Sequence, residues 1–537
     1  MTLVLTSCSA DTRTTNVSSR LYDVQHYDLS ISLDLSTKTL SGNVSMIVHI
    51  LDPLQTLTLN ASKKTLTIDS AIVGKIRVLF QHKDDALSIQ LPTIVAASES
   101  VAINIYYHGI STFQGEYDGG GVYFSSPDHV ATISQPNFAR TWFPCNDNPS
   151  DKATSTMSIT VDSHLTAVSN GILKQISRQE KFKTYTWETR YPTATYLISF
   201  AVAPYLEYSD WYTALNGDSM KVTYYVFPED SDKAKKDFYN TTKILSIFAR
   251  MFGEYPFMNE KFGLVEVDGE LTMENQTICS IQRSEITGDQ QYESTIVHEI
   301  AHQWLGNLVT PATWNDIWLN EGFATYAEAL YREQAYSKDS YRRYVEWLMS
   351  TEQGRFAGAI VGNNDTSFQD LFSLRIYNKG ALVLHMLRGI VGDTVFFTIM
   401  KNYLNNERLR YGNATTEDFI HECEKEYGQS LRWFFDEWLL SSADSIDRPE
   451  YEYSWTTQPN GNLFDVHLNL TQTTAAKQLF RMPMTITIST QLSEYKYKIT
   501  DSLEVQSFNF QMHEQPTSVE IDKENNVFKI LKRKEDR

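Results

Sequence analysis

The period of the hydrophobic pattern changes twice along this chain, and that limits the fold more than any other feature. From Leu21 to about Tyr208 short segments alternate apolar and polar residues, as in 27–35, 42–50, 101–107, 154–161 and 196–203. A two-residue period belongs to half-buried strands, so this stretch reads as a large β domain. From about Ser209 to Asp447 the period is helical: residues 230–252 carry Ala234, Phe238, Ile244, Phe248 and Met251 on one face. After a strand at 262–267, helical stretches are expected at 293–309, 316–332, 340–352, 375–390, 393–404, 416–427 and 431–440. Alternation returns from Tyr451 to about Leu531, including 465–470 and 484–489, and predicts a small β-sandwich. The chain therefore reads as multidomain α+β, with domains at 20–208, 209–447 and 448–537 behind a signal or lipoprotein remnant and tether at 1–19.

Composition removes several function classes. Among 537 residues, 47 Lys and Arg stand against 66 Asp and Glu, a formal charge of −19. Such a surface repels phosphate backbones, so nucleic acid is not an expected partner. No apolar run approaches the ~18 residues needed to span a bilayer, so no transmembrane helix is expected. Cys8, Cys145, Cys279 and Cys423 are far apart and form neither a CxxC pair nor a disulfide framework. Leu5-Thr-Ser-Cys8 ends a short apolar run and resembles a bacterial lipobox, without a basic n-region. Lipid anchoring at Cys8, in a bacterial periplasmic or membrane-anchored setting, is one reading. A chance Leu-x-x-Cys on a frayed terminus is the other, and it leaves a cytoplasmic location open. A monomer is the expected state.

The chemistry concentrates in Val297-His298-Glu299-Ile300-Ala301-His302. Residues four apart share a helix face, so His298 and His302 point the same way at a spacing that suits two imidazoles on one Zn²⁺. Glu299 lies beside that face, within reach of water there without being a ligand. Glu321, nineteen positions after His302 in a second helical stretch, returns as a third ligand if the two helices run antiparallel. Two histidines and one glutamate leave a position open, which is the arrangement of a catalytic zinc site. Asp316 and Glu328 are candidate acceptors for the ligands' remaining N–H groups, with solvated or intrahelical pairing as the alternative.

His298-Glu299-x-x-His302 followed by Trp-Leu-Asn-Glu321-Gly-Phe-Ala resembles the M1 family of zinc aminopeptidases, of the gluzincin clan. Residues 134–153, the Phe-Gly-Glu-Tyr-Pro-Phe run at 252–257, Met273-Glu274-Asn275 and Tyr377-Asn-Lys-Gly-Ala381 also resemble family blocks, so the likeness covers almost the whole chain. It implies a saddle-like N-terminal β domain, a thermolysin-like catalytic domain and a β-sandwich. By this likeness the chain resembles the short three-domain form, similar to bacterial aminopeptidase N-like and leukotriene A4 hydrolase-like members. It further implies one zinc and peptide substrates with a free N-terminus. Glu299 is then the general base, Tyr377 a donor to the developing oxyanion, and Glu274, with Met273 and Gln135, the group that binds the substrate amine. By itself Tyr377 is one of 30 tyrosines and carries no signal. His385, two turns later, reads as packed or hydrogen-bonded.

Two positions depart from the family pattern. Leu271 stands where the first glycine of Gly-x-Met-Glu-Asn is usual, which bears on the specificity pocket. Gln135 stands where many members have glutamate but where leukotriene A4 hydrolase-like members also have glutamine, so an additional epoxide hydrolase activity is the alternative enzyme reading. A catalytically silent zinc protein that binds peptides is the alternative outside enzymes. A thermolysin-like endopeptidase fits the metal residues but leaves Met273-Glu274-Asn275 without a role.

Overall fold

A computed structural model describes residues 20–110, 120–269, 272–351, 355–361, 367–441, 448–474 and 478–534. Cys8 and Leu271 lie outside them. The N-terminal region is β-rich. Its eight-stranded sheet runs in the order Ile172–Gln179, Phe182–Ala194, Lys152–Asp162, Tyr22–Asp34, Thr39–Ile50, Ser100–Ile110, Leu66–Val73 and Ile76–Val78. Leu29, Ile31 and Leu33 alternate inward on Tyr22–Asp34, as the period required. That strand pairs antiparallel with Thr39–Ile50 and parallel with Lys152–Asp162, so the middle of the sheet joins two distant pieces of chain. The sequence reading of 196–203 as one strand needs correction. Thr195–Leu197 is a 3₁₀ turn and only Phe200–Ala203 pairs, with Thr166–Ser169 and His129–Ile133.

The catalytic region begins with a four-stranded sheet ordered Leu206–Thr213, Ser219–Val226, Phe262–Val267 and Cys279–Gln282. Helices pack against it. The expected helix at 230–252 is broken into Ser231–Asp237 and Thr241–Phe252. The expected helix at 293–309 ends at Ala301, with His302 in helical backbone as its cap. The apolar pattern continues through Leu305 and Leu308, but Gly306 adopts φ 130°, a left-handed value that a helix cannot hold. The next helix, Trp318–Ala335, is buried from Trp318 to Tyr331, and Lys338–Met349 follows it. Gly380–Val391 is preceded by a π turn at Arg375–Lys379. Two sheets close the chain. One is ordered Val505–Met512, Leu463–Gln472, Glu450–Asn460 and Ile530–Arg533, and the other Glu494–Asp501, Met482–Ser489 and Ser518–Ile521. Their apolar residues join the core of the catalytic region, while the N-terminal sheets have a core of their own. Among the described residues no helix is long and apolar enough to cross a membrane.

Candidate metal and amine site

His298, His302 and Glu321 come together as the spacing suggested, with one ligand atom from each lying within 4.8 Å of the others. Glu321 Oε2 is 3.3 Å from His298 Nε2 and 3.4 Å from His302 Nε2. The other ring nitrogens are held from outside. His298 Nδ1 is 3.0 Å from Glu328 Oε1, and His302 Nδ1 is 2.9 Å from the Leu305 carbonyl. Both of those partners only accept, so each Nδ1 carries a hydrogen, and in its neutral form each ring turns its Nε2 lone pair inward. Two lone pairs and a carboxylate oxygen then face one point, a donor set that repels itself unless a cation lies between. The set is of the type zinc takes, so the residues fit that ion. The electrostatics agree. Burial lowers both histidines, but the carboxylates of Glu321, Glu328 and Glu274 outweigh it and raise them. The charged imidazoles in turn bring Glu321, which burial alone would raise, down to about 2: the carboxylates call for positive charge at this point.

Asp316 is not where the sequence reading put it. One carboxylate oxygen accepts from Thr416 N at 2.9 Å and Thr416 Oγ1 at 2.8 Å, and the other from Thr313 Oγ1 at 3.0 Å. It therefore ties a helix start one hundred residues downstream to the end of the Thr313 turn, and neither histidine is its partner. The misplacement has a plain cause: proximity to Glu321 in sequence was visible, and Thr416 was not.

Glu299 is buried, and a carboxylate oxygen lies within 4.8 Å of both a Glu274 oxygen and a His302 ring nitrogen. Burial pushes its carboxyl up to about 8, against the pull of His298 and His302. Glu274 is only 3% exposed. Its side chain accepts from Gln135 Nε2 at 3.1 Å, and the same nitrogen lies 3.5 Å from Glu321 Oε1. The backbone of this strip is fixed from two sides. Met273 and Ser280 exchange a pair of 2.9 Å hydrogen bonds, and the Glu274 carbonyl accepts from Asn307 Nδ2 at 2.8 Å and Gln303 Nε2 at 3.2 Å. The Met273 side chain itself belongs to the core.

Tyr377 sits in the π turn, a local bulge of the kind that recurs at functional sites. Its ring stacks on that of His298, with centroids 5.9 Å apart and planes 13° apart. Burial first, then the carboxylates of Glu321, Glu274 and Glu299, holds its hydroxyl well above the usual range, so it stays a donor. His385 is buried and bonded on both nitrogens, to Tyr341 at 2.7 Å and the Asn525 carbonyl at 2.9 Å. Sequence reasoning missed Gln303 and Asn307, whose only signal was their place one and five positions after His302. It also missed Tyr344 and the glycine pair Gly322 and Gly380.

Residues 237–438 match the peptidase family M1 domain, and residues 23–197 match the peptidase M1 N-terminal domain. Aminopeptidase M1 of Arabidopsis thaliana is 26% identical over 451 residues, which is 77% of this chain and 50% of that protein. Glutamyl aminopeptidase of Sus scrofa is 27% identical over 450 residues, 77% of this chain and 46% of that one. The chain thus spans about half the length of the curated relatives it matches. An M1 zinc metallopeptidase from Deinococcus radiodurans superposes with a TM-score of 0.66 at 25% identity, over 76% of this chain and 91% of that one. Legionella pneumophila aminopeptidase A, solved with aspartic acid, gives 0.81 at 18% identity over 96% of this chain and 60% of that one, a likeness of fold. With both signature domains in their order along the chain and a His-His-Glu cluster inside the second, this protein belongs to peptidase family M1.

Proposed function

We propose that the protein is a zinc aminopeptidase that removes residues one at a time from the free N-terminus of peptides. The observation that carries this reading is the buried Glu274 carboxylate, braced by Gln135 beside the metal set. A carboxylate fixed there suits a substrate ammonium and nothing longer, because a blocked or internal amide leaves the charge buried without a partner. His298, His302 and Glu321 would hold the zinc, which when bound supplies Lewis acidity and makes water acidic enough to react near neutral pH.

The chain's own groups do the rest. Glu274 accepts hydrogen bonds from the ammonium and so sets which peptide bond lies over Glu299. Gln135 spends its N–H on Glu274, which leaves its carbonyl oxygen for the same ammonium. Glu299 takes a proton from the attacking water and passes it to the departing amine; burial keeps its carboxyl basic enough to do so. Tyr377 donates to the oxygen on which negative charge develops, an effect worth about 2.7–4 kcal/mol for one such donor.

Purified protein incubated with a mixture of free and N-acetylated peptides, read by mass spectrometry, tests the proposal. Stepwise loss from free ends alone is expected, and Glu274→Ala should abolish that preference. Internal cuts, or equal attack on acetylated peptides, would return the site to an endopeptidase. Gln135 beside Glu274 also motivates an epoxide substrate assayed in parallel, since a neutral amide tolerates a ligand without an ammonium.

A further inference from the structure

We propose that Tyr344 is a positioning residue for the metal centre, acting through Glu328 on His298. The inference rests on zinc at His298, His302 and Glu321. Glu328 lies two turns after Glu321 on the same helix, Trp318–Ala335, so both carboxylates face the histidines. Each oxygen of Glu328 has one partner: Oε1 lies 3.0 Å from His298 Nδ1, and Oε2 accepts from the Tyr344 hydroxyl at 2.7 Å. The terminal torsion of a glutamate is broad, so a single hydrogen bond leaves the carboxylate free to rotate. A second, charge-assisted bond on the other oxygen fixes its plane, and with it the His298 ring.

The Tyr344 ring is itself held. The Arg332 guanidinium lies 4.9 Å above it, and the Trp347 ring packs at 5.4 Å. Arg332 also donates to Ser294 Oγ at 2.7 Å, on the helix that carries His298. Three helices therefore converge on this hydroxyl. Tyr341, one turn earlier, faces a different task. It bonds Tyr326 at 3.0 Å and His385 at 2.7 Å, and His385 reaches the Asn525 carbonyl of the C-terminal sheets. The helix Lys338–Met349 thus carries two half-buried tyrosines, one bonded to Glu328 behind the metal set and one to the buried His385.

Removing the Tyr344 hydroxyl loosens Glu328, which weakens the site. Tyr344 and Glu328 line a cleft of about 470 Å³, so water can take up the freed oxygen's hydrogen bond, but a mobile water does not fix the carboxylate plane as the held tyrosine does.

Zinc affinity measured by chelator competition, with zinc chloride added to metal-free protein, tests the proposal. Tyr344→Phe should weaken zinc about tenfold, the lower end for partners outside the ligands themselves, and leave KM unchanged. Tyr341→Phe should leave zinc affinity at the wild-type value. In a Glu328→Gln background, Tyr344→Phe should add nothing, because its path has been removed. Wild-type affinity in Tyr344→Phe, tighter zinc, an equal loss in Tyr341→Phe, or an undiminished effect in the Glu328→Gln background would each overturn it. Failure of the wild-type protein to bind zinc would overturn the proposed function as well, whereas full wild-type binding with an unaffected Tyr344→Phe would remove only this inference.

Discussion

The helix bearing Glu321 and the turn bearing Tyr377 meet backbone to backbone at Gly322 and Gly380. A Cβ on Gly380 would lie 3.0 Å from Gly322 Cα and 3.8 Å from Trp318 Cε3. A Cβ on Gly322 would lie 3.0 and 3.1 Å from Gly380 Cα and C, and 3.1 Å from the Ile376 carbonyl oxygen. Carbon atoms in contact settle at about 3.5–4.0 Å, so Gly380→Ala must part the helices by about 0.5–1 Å. No side chain can swing aside, because the neighbours are main chain. Tyr377 lies one turn before Gly380 and moves with it. Overpacking of this kind destabilises by about 1–3 kcal/mol. Misplacing a reacting group by about 1 Å lowers a rate about a hundredfold, so a shift near half that predicts a loss of about tenfold. Gly380→Ala should therefore lower kcat about tenfold or more, with KM little changed and zinc retained, since Glu321 is on the other helix. Gly322→Ala should lower kcat and zinc content together. Steady-state kinetics, zinc analysis and thermal unfolding on both variants give the readout. A normal kcat in Gly380→Ala with a lowered Tm would show that the crossing serves stability and does not position Tyr377.

Glu299→Gln should keep zinc and lower kcat by about two orders of magnitude or more, and retained turnover would refute its role as base. Tyr377→Phe should lower kcat about a hundredfold with a smaller effect on KM, and an unchanged kcat would return the residue to packing against His298. Asp501 gives a test of stability against pH, far from the site. Burial pushes its carboxyl up to about 6, opposed by Gln472, whose Nε2 donates to it at 2.5 Å. The folded protein therefore holds this proton through a window, from about 4 to 6, in which the unfolded chain has lost it. Stability from this group is present below that window and is lost as pH rises through it. Asp501→Asn should raise stability by about 1–2 kcal/mol at pH 8 and by little at pH 4, and an equal effect at both would refute the assignment.

The parts of the site visible in the sequence are those written in local spacing. His298 and His302 share a face because they are four residues apart, and Glu321 returns because the intervening turns are short. The helix Thr416–Tyr427 is legible because its apolar period runs from a Thr415–Asp418 capping box to Gly428, and the strand Phe262–Val267 because it is a short apolar run, buried throughout. What was not legible is tertiary. The helix bearing the histidines stops at Ala301 although the apolar pattern runs on, because Gly306 turns the chain there and a side chain at 306 would meet Asn320 at 3.0 Å. Asp316 looked like a partner for a metal ligand until Thr416 took its carboxylate. Tyr344 carried no mark among 30 tyrosines, since its meaning depends on where Glu328 points.

The proposed amine site draws on the N-terminal region and on the region that carries the histidines, and directed hydrogen bonds run along the seam between them. Gln135 comes from the N-terminal region and Glu274 from the one that follows, and the two hydrophobic clusters overlap at the seam, where Tyr225, Val265, Val267 and Ile278 pack into the N-terminal cluster and Tyr196 and Leu197 into the other. Apolar burial alone would let the two bodies slide; directed hydrogen bonds fix their register. Asn170 Nδ2 donates to the Gln276 carbonyl at 2.7 Å and Gln276 Nε2 to Thr193 Oγ1 at 2.7 Å, on either side of the main chain that follows Glu274. Asn320 Nδ2 donates to the Tyr196 hydroxyl at 3.1 Å, one residue before Glu321, and Trp314 Nε1 to Asn137 Oδ1 at 2.9 Å, two residues after Gln135. Lys152 extends its ammonium across to the carbonyls of Asn307, Leu308 and Gly412, within 3.3 Å, and Asn307 in turn holds the Glu274 carbonyl. These bonds form a ring around the place where Gln135 meets Glu274. A catalytic region expressed without the N-terminal sheets would keep His298, His302 and Glu321 but would lose both Gln135 and the brace on Glu274. Zinc binding and amine recognition should therefore separate on truncation, and the first can survive where the second cannot.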